Sequence, residues 1–373
     1  MERRKTRKIR LGSVTVGGGS PVSVQSMTNT PTPDVRATIA QIKALEKAGC
    51  EVVRVAVPDK DAAVALPGIK KGIALPLIAD IHFDWRLALM AIEAGVDGLR
   101  LNPGNIGGEE RVREVVRAAK QRGIPIRIGI NSGSLEEDLL KRYGHPSPEA
   151  MVESALRHIR LVEDMDFFEI KVSLKASGVW PTINAYRLLA RKVDYPFHVG
   201  VTEAGTLFSG TVKSSVGIGV LLSEGIGDTI RVSLTADPVE EVRVGWEILK
   251  ALELRKRGVN VISCPTCGRI KIDCVGLASE VEKRLGHIKE PVNLSLMGCV
   301  VNGPGEAVMA DVGIIGGGGG GGVGGDGVAL LYSRGKVVRK VKEEEIVSAV
   351  IEEVESIVRE REKAKNLKGA AED

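Results

Sequence analysis

The sequence is poor in aromatic residues. Phe, Trp and Tyr make up 3% of its 373 residues, too few for the stacked ring platforms on which single-stranded nucleic acids lie. It also carries almost no excess charge. Its 52 Lys and Arg against 48 Asp and Glu leave +4, which argues against a general nucleic-acid binder but leaves room for a local basic pocket. No apolar run reaches the roughly 18 residues of a membrane helix. The basic stretch Met1–Arg10 has no apolar segment behind it, so no secretory signal is expected. Cysteines number only five, and an odd count without an export signal argues against a disulfide framework. What is present is a chain with 43% hydrophobic residues, enough for a large core. Its length fits two domains or a barrel with an appendage, and a soluble cytoplasmic enzyme is expected.

Residues 1 to 235 carry a regular beat of Val-, Ile- and Leu-rich runs: Val22–Met27, Val52–Val57, Leu77–Ile81, Gly98–Asn102, Ile126–Ile130, Phe168–Leu174, Phe197–Val201 and Thr229–Leu234. Helical periodicity fills most gaps, as in Thr38–Lys47, Trp85–Ala94, Glu110–Gln121, Pro148–Met165 and Thr182–Lys192. Strands alternating with helices favour parallel units. Eight such units predict a TIM (β/α)8 barrel, whose usual size is about 250 residues. An open doubly wound sheet is the competing arrangement, but no glycine-rich nucleotide turn follows the first run.

Polar residues gather where these runs end, and in a barrel such positions converge at the C-terminal mouth. Arg54, Arg100, Arg127 and Arg231 come from four different runs, and side chains alternate along a strand, so all four can aim at one volume. Lys171, Lys175 and Lys213 are candidates to join them. A single arginine near a strand end is most often an exposed or ion-paired residue, but seven coincident cations point to an anionic ligand, with phosphate or diphosphate first. Asp80, His82 and Glu203 are either partners for these cations or acid–base groups.

A second region begins near Leu254, giving expected domains 1–254 and 255–373. A strand-like run, Val259–Ser263, leads into Cys264-Pro265-Thr266-Cys267-Gly268-Arg269. C-x-x-C sets two thiolates within reach of one metal or cluster. A zinc ribbon would supply a second such pair, and the chain has none. A third thiolate, Cys299, follows the run Val292–Met297 and opens a loop that includes Gly303-Pro304-Gly305-Glu306. For a fourth ligand the region offers Cys274, His287 and Glu306. Cys274 falls in Ile270–Val275, which reads as a strand, where a buried inert thiol is the commoner outcome. Cys50 carries the same expectation. His287 sits at a helix end and is expected to face solvent.

Gly316–Gly322 is an unbroken glycine run between two strand-like runs, Ala310–Ile315 and Val328–Tyr332. A dinucleotide fingerprint must open a helix, so a hairpin loop is the expectation here. Lys342–Lys363 reads as an amphipathic helix, and Asn366–Asp373 as a frayed end.

Five stretches together resemble the bacterial 4-hydroxy-3-methylbut-2-enyl diphosphate synthases. They are Val24-Gln25-Ser26-Met27-Thr28-Asn29-Thr30, Asn102-Pro103-Gly104-Asn105-Ile106-Gly107, Arg127-Ile128-Gly129-Ile130-Asn131-Ser132-Gly133-Ser134-Leu135, Cys264-Pro265-Thr266-Cys267-Gly268-Arg269 and Met297-Gly298-Cys299-Val300-Val301-Asn302-Gly303-Pro304-Gly305-Glu306. The likeness runs from about residue 5 to about residue 360. It implies an N-terminal TIM barrel, a smaller C-terminal α/β domain with a 4Fe–4S cluster, and conversion of 2-C-methyl-D-erythritol 2,4-cyclodiphosphate to the hydroxylated butenyl diphosphate of the non-mevalonate pathway. Two external electrons would come from flavodoxin or ferredoxin. The resemblance implies Cys264, Cys267, Cys299 and Glu306 as cluster ligands. It implies Arg54, Arg100, Arg127, Lys175 and Arg231 as the diphosphate clamp, and Asn131 and Glu203 near the reacting carbons, with Glu203 a possible proton donor. It also implies a head-to-tail homodimer in which the cluster domain of one subunit closes the barrel of the other. The glycine run departs from the family pattern, which commonly places a Lys or another polar residue there. A non-redox phosphosugar lyase or aldolase barrel with a structural zinc site is the alternative from another class, and a redox-sensing binding module is a third.

Overall fold

The structure, a computed structural model, describes residues 2–102, 106, 108–317 and 327–369. Four residues of the motif that begins at Asn102 (Pro103, Gly104, Asn105 and Gly107), most of the glycine run and the last four residues lie outside the described residues. Two compact units, Met1–Arg255 and Lys256–Asp373, divide the chain.

The first unit opens with a hairpin, β1 (Lys8–Leu11) and β2 (Val14–Gly17). Eight parallel strands follow: β3 (Ser23–Met27), β4 (Val52–Ala56), β5 (Leu77–Asp80), β6 (Gly98–Leu101), β7 (Ile126–Asn131), β8 (Ile170–Lys175), β9 (His198–Val199) and β10 (Thr229–Ile230). Their order is β8-β7-β6-β5-β4-β3-β10-β9. A parallel bridge from Val172 to Phe197 joins the two ends and closes the barrel. The helices are α1 (Val35–Ala48), α2 (Lys60–Lys71), α3 (Trp85–Glu93), α4 (Glu109–Arg122), α5 (Glu137–Tyr143), α6 (Pro148–Glu163), α7 (Val179–Ala190), α8 (Leu207–Ser223) and α9 (Pro238–Ala251). Several start on a side-chain cap. Asp34, Asp59, Asp84, Ser147 and Asp237 each accept a backbone N–H of the first turn, which satisfies a donor that the helix leaves open.

Local sequence speaks against α2 and α8. Helix α2 contains Pro67, normally a helix breaker. Helix α8 (LFSGTVKSSVGIGVLLS) mixes Gly, Ser and Val with no clean apolar stripe. Both form because tertiary packing outweighs local preference. The hairpin plugs the barrel floor: Ile9, Leu11 and Val16 cluster with Val52 and Ile78 near the starts of β4 and β5.

The second unit holds a mixed five-stranded sheet in sequence order: β11 (Val259–Ser263), β12 (Val292–Met297), β13 (Val312–Gly316), β14 (Val328–Ser333) and β15 (Lys336–Lys342). The first three are parallel, and the rest run antiparallel. Strands β13 and β14 pair directly, from Val312 with Ser333 to Gly316 with Ala329, so the glycine run joins the two strands of a hairpin. Helices α10 (Cys274–Leu285), α11 (Gly303–Met309) and α12 (Ile346–Gly369) complete the unit.

Two local expectations need correction here. The run Ile270–Val275 is not a strand: Cys274 is the first residue of α10, because Asp273 caps the helix by accepting from Gly276 N–H at 3.0 Å. Residues 303–309 are not loop. Pro304 sits at the helix start, where its missing N–H costs nothing, and Glu306 lies in the first turn of α11.

Candidate functional site

Alternation along the barrel strands sets up the cation cluster. On β7, Ile126, Ile128 and Ile130 join the hydrophobic core outside the barrel, which turns Arg127, Gly129 and Asn131 inward. On β8 the same alternation turns Lys171, Ser173 and Lys175 inward. Register then aligns neighbours: Asp80 pairs with Arg100, Arg100 with Arg127, Arg127 with Lys171, and Asn131 with Lys175.

The resulting cluster is almost fully buried. Arg54, Arg100, Arg127, Lys171 and Lys175 are each at most 7% exposed. Asp80 is the shared counter-charge, 3.4 Å from Arg54 Nε and 3.1 Å from Arg100 Nη1. Arg54 also donates to Met27 Sδ at 3.0 Å, and Arg127 to Ser173 Oγ. Arg231 lies 3.6 Å from Glu241, a buried carboxylate on α9 that also accepts from Ser26 Oγ and Leu234 N–H. Among the described residues, three of these six cations have a carboxylate within ion-pair distance: Arg54 and Arg100 share Asp80, and Arg231 has Glu241. Among the described residues, Arg100 Nε, Arg127 Nε, Lys171 Nζ and both ring nitrogens of His198 have no hydrogen-bond partner. Buried donors in that state are costly unless a ligand satisfies them.

The electrostatics carry the same message. Burial pulls the Arg54 guanidinium down to about 10 against the pull of Asp80, with Arg231 and Arg100 adding to the fall. Burial and then Arg127 and Arg54 bring the Lys171 ammonium well below its ordinary value. Burial and then Arg231, Arg127 and Arg54 do the same to Lys175. His198 is held neutral by burial and by Lys175, Arg127, Lys171 and Arg54. Burial alone would raise Asp80, but Arg54, the His82 hydrogen bond, Arg100 and Arg127 outweigh it and keep the carboxylate ionised. A polyanion entering this volume would reverse the repulsion among the cations.

Two glycines make the crowding possible. A Cβ on Gly129 would come within 2.7 Å of Arg100 Nε, and one on Gly200 within 3.0 Å of Lys175 Nζ. A glycine inside a strand marks such close approach, and that was the available signal for Gly129 and Gly200. Ser173 and Glu241 gave none, since their roles depend on register and on helix packing.

Other candidates stand apart from the cluster. Lys213 is exposed on α8 and is not among the clustered cations, which corrects that expectation. His82 is half-exposed, with Nε2 2.7 Å from Arg100 Nη1. Asn131 is half-buried at the end of β7. Glu203 is exposed and adopts a positive φ of 46°, a conformation that non-glycine residues hold at a cost and that Asp166, Glu253 and Arg334 also adopt. Its neighbour Thr202 donates to Ala176 O, just past Lys175.

In the second unit, Cys264 follows β11 and Cys299 follows β12, adjacent parallel strands, so both thiols leave the same end of the sheet. Cys264 and Cys299 are half-buried, whereas Cys267 and Glu306 are exposed. Gly298 N–H donates to Cys264 Sγ at 3.3 Å, and Lys271 N–H to Gly298 O at 2.8 Å. Among the described residues, no three His, Cys, Asp or Glu side chains converge tightly enough to hold a single metal ion. A polynuclear cluster spreads its ligands more widely. The donor set (three soft thiols on one sheet end, one of them receiving a backbone N–H) fits iron and sulfide. Cys274 Sγ lies 4.0 Å from Cys264 Sγ; burial and then the Cys264 sulfur push its thiol up to about 12. His287 is exposed, as expected. Cys50 is buried against Val52 O, and burial pushes its thiol up to about 12.

Two family models match the chain: the GcpE TIM-barrel domain over residues 6–246 and the GcpE protein C-terminal domain over residues 260–356. Three curated relatives are each named 4-hydroxy-3-methylbut-2-en-1-yl diphosphate synthase (flavodoxin). The Geobacter sulfurreducens protein is 60% identical over 96% of this chain and 99% of its own length. The Symbiobacterium thermophilum protein is 59% identical over 95% of this chain and 94% of its own. The Geobacillus thermodenitrificans protein is 56% identical over 100% of this chain and 98% of its own. No helix among the described residues is long and apolar enough to cross a membrane. The chain belongs to the GcpE family, the 4-hydroxy-3-methylbut-2-en-1-yl diphosphate synthases.

Proposed function

We propose that this protein reductively opens 2-C-methyl-D-erythritol 2,4-cyclodiphosphate to 4-hydroxy-3-methylbut-2-enyl diphosphate. Two electrons enter and one oxygen leaves as water. The observation that carries this reading is the buried barrel cluster, in which Arg54, Arg100 and Arg231 pair with Asp80 and Glu241 while Arg127, Lys171 and Lys175 have no ion-pair partner among the described residues. Buried cations with so few counter-charges favour an anionic ligand, and a cyclic diphosphate, with one ionised oxygen on each phosphorus, is such an anion.

Arg54, Arg100, Arg127, Lys175 and Arg231 hold the two phosphoryl groups by charge-assisted hydrogen bonds. Because four of them stand on barrel strands and Arg231 directly follows β10, they are oriented before the ligand arrives, and little reorganisation is needed when the ring opens and charge gathers on the diphosphate oxygen. Asn131, beside Lys175 in register, orients the carbon skeleton. Glu203 donates the proton that the departing hydroxyl requires, from a carboxyl held in a strained turn at the strand end. Asp80 does not react: it fixes the directions of Arg54 and Arg100.

Cys264, Cys267, Cys299 and Glu306 would hold a 4Fe–4S cluster. When bound, it supplies single electrons and a Lewis-acidic iron. A carboxylate is a weak ligand for such iron, so Glu306 is the ligand that yields most readily. Flavodoxin, with ferredoxin as the alternative, is the electron donor, and the enzyme acts in the cytoplasm as a homodimer.

The test is turnover under nitrogen by the iron-reconstituted protein, with the cyclic diphosphate and reduced flavodoxin or dithionite. Formation of the butenyl diphosphate is the expected result. Aldol or lyase products without electron uptake, from a protein holding zinc, would replace this reading with the non-redox one.

A further inference from the structure

Cys274 has no part in the mechanism above, yet its sulfur lies 4.0 Å from that of Cys264. Both are free thiols. The two sulfurs share one patch of backbone. Gly298 N–H donates to Cys264 Sγ at 3.3 Å, and a Cβ built on Gly298 would fall 2.7 Å from Cys274 Sγ. A bare glycine is what lets both settle there. Both backbones are anchored. Cys264 N–H donates to Leu296 O at 3.2 Å, and Cys274 N–H to Ile272 O at 2.9 Å, at the capped start of α10. Accessibility differs sharply: Cys264 is half-buried, whereas Cys274 is 3% exposed. A dissolved oxidant reaches the first sulfur and not the second, so Cys274 reacts only with what Cys264 carries.

We propose that Cys264 and Cys274 form an intramolecular disulfide when the chain holds no iron and meets a hydroperoxide. The Cys264 thiolate attacks the peroxide. The O–O bond breaks, the sulfur becomes a sulfenic acid, and the departing oxygen leaves as water once protonated. The Cys274 sulfur then attacks the Cys264 sulfur. The S–S bond forms, the S–O bond breaks, and the hydroxyl leaves with the Cys274 thiol proton as a second water. Two thiols lose two electrons, and one hydrogen peroxide gains them. The sulfurs close to a bond of about 2 Å, a movement that side-chain rotation starts from 4.0 Å. The competing partner is Cys267, three residues along the chain and exposed.

The bridge itself does not depend on the cluster assignment. Its consequence does: if Cys264 is a cluster ligand, the oxidised chain takes up iron only after a thiol reductant reopens the bond.

The full-length chain is stripped of iron with a chelator, reduced, and treated with equimolar hydrogen peroxide. It is then unfolded in N-ethylmaleimide and cut with trypsin. Arg269 and Lys271 lie between the two cysteines, so cleavage leaves them on separate peptides that only a bridge joins. The expected product is that joined pair, lighter by two hydrogens, with Cys267 carrying maleimide. It disappears in the Cys274→Ala chain. A predominant Cys264–Cys267 bridge, or Cys274 fully blocked by maleimide, overturns the proposal. The same treatment of iron-loaded protein should leave Cys264 unbridged. If the bridge forms there equally while iron and acid-labile sulfide content stay unchanged, the ligand assignment of Cys264 fails and the disulfide stands.

Discussion

The two functional regions are built on opposite principles. In the barrel, Arg54, Arg100, Arg127, Lys171 and Lys175 project from strands and are nearly inaccessible. In the second unit, Cys264, Cys267 and Cys299 sit beyond strand ends, and Cys267 and Glu306 are exposed. Strand-borne charges have their geometry fixed by the ladder of backbone hydrogen bonds, so the cost of gathering them falls on folding. Loop-borne thiols leave part of that cost to the group they bind, whose bonds are strong enough to meet it. On the proposed function, a weakly directional ligand such as a diphosphate takes the rigid site, and a strongly bonding cluster the open one.

The comparison can be broken at its strongest point first. Changing Cys299 to Ser should abolish both iron retention and turnover, read as loss of iron, acid-labile sulfide and visible absorbance. The fold should survive, since the second unit's core is formed by Leu294, Leu296, Val312, Ile314 and the apolar face of α12. Changing Arg127 to Met removes one charge-assisted donor of the clamp. At about 1.5–3 kcal/mol for a hydrogen bond to a charged group, KM for the cyclic diphosphate should rise about 10- to 100-fold. Iron content should be unchanged, because Arg127 belongs to the first unit and the cysteines that would hold iron belong to the second.

Changing Asp80 to Asn sharpens the barrel half. Removing one partner of a buried pair costs about 3–5 kcal/mol, and Asp80 holds both Arg54 and Arg100. The Asp80 pKa is depressed in the folded state. Its stabilisation is therefore fully present above the unfolded value of about 3.9 and is lost as pH falls from there towards the folded one. The gap in Tm between wild type and Asp80→Asn should be flat near neutrality and shrink in acid. Least of all, Lys213→Met should leave KM within about 2-fold, since exposed changes away from the site cost about 0.5 kcal/mol or less.

Much of this was legible from residue order. The eight apolar runs and the helical gaps foretold the barrel, because a period-two pattern and a 3.6-residue pattern are local properties. The meeting of Arg54, Arg100 and Arg127 was legible too, since strand ends of a closed parallel sheet share one rim. What escaped were facts of register and packing. Lys213 lies near the others in composition, yet its helix turns it to solvent. Glu241 reaches Arg231 from α9, a contact that no spacing encodes. Cys274 reads as part of a β-branched run, but the cap from Asp273 makes it the start of a helix and brings its sulfur to Cys264. The roles of Glu203 and Glu306 come from family resemblance, since neither a positive-φ turn nor the first turn of α11 can be read from spacing.

The central claim is that the three thiols and Glu306 exist to hold iron and sulfide in the service of a diphosphate-binding barrel. The most direct measurement is the iron and acid-labile sulfide content of the wild-type chain reconstituted and isolated under nitrogen. A coloured protein with iron and sulfide in equal amounts is predicted. A colourless chain that refuses iron, or one that holds stoichiometric zinc without sulfide, would contradict it.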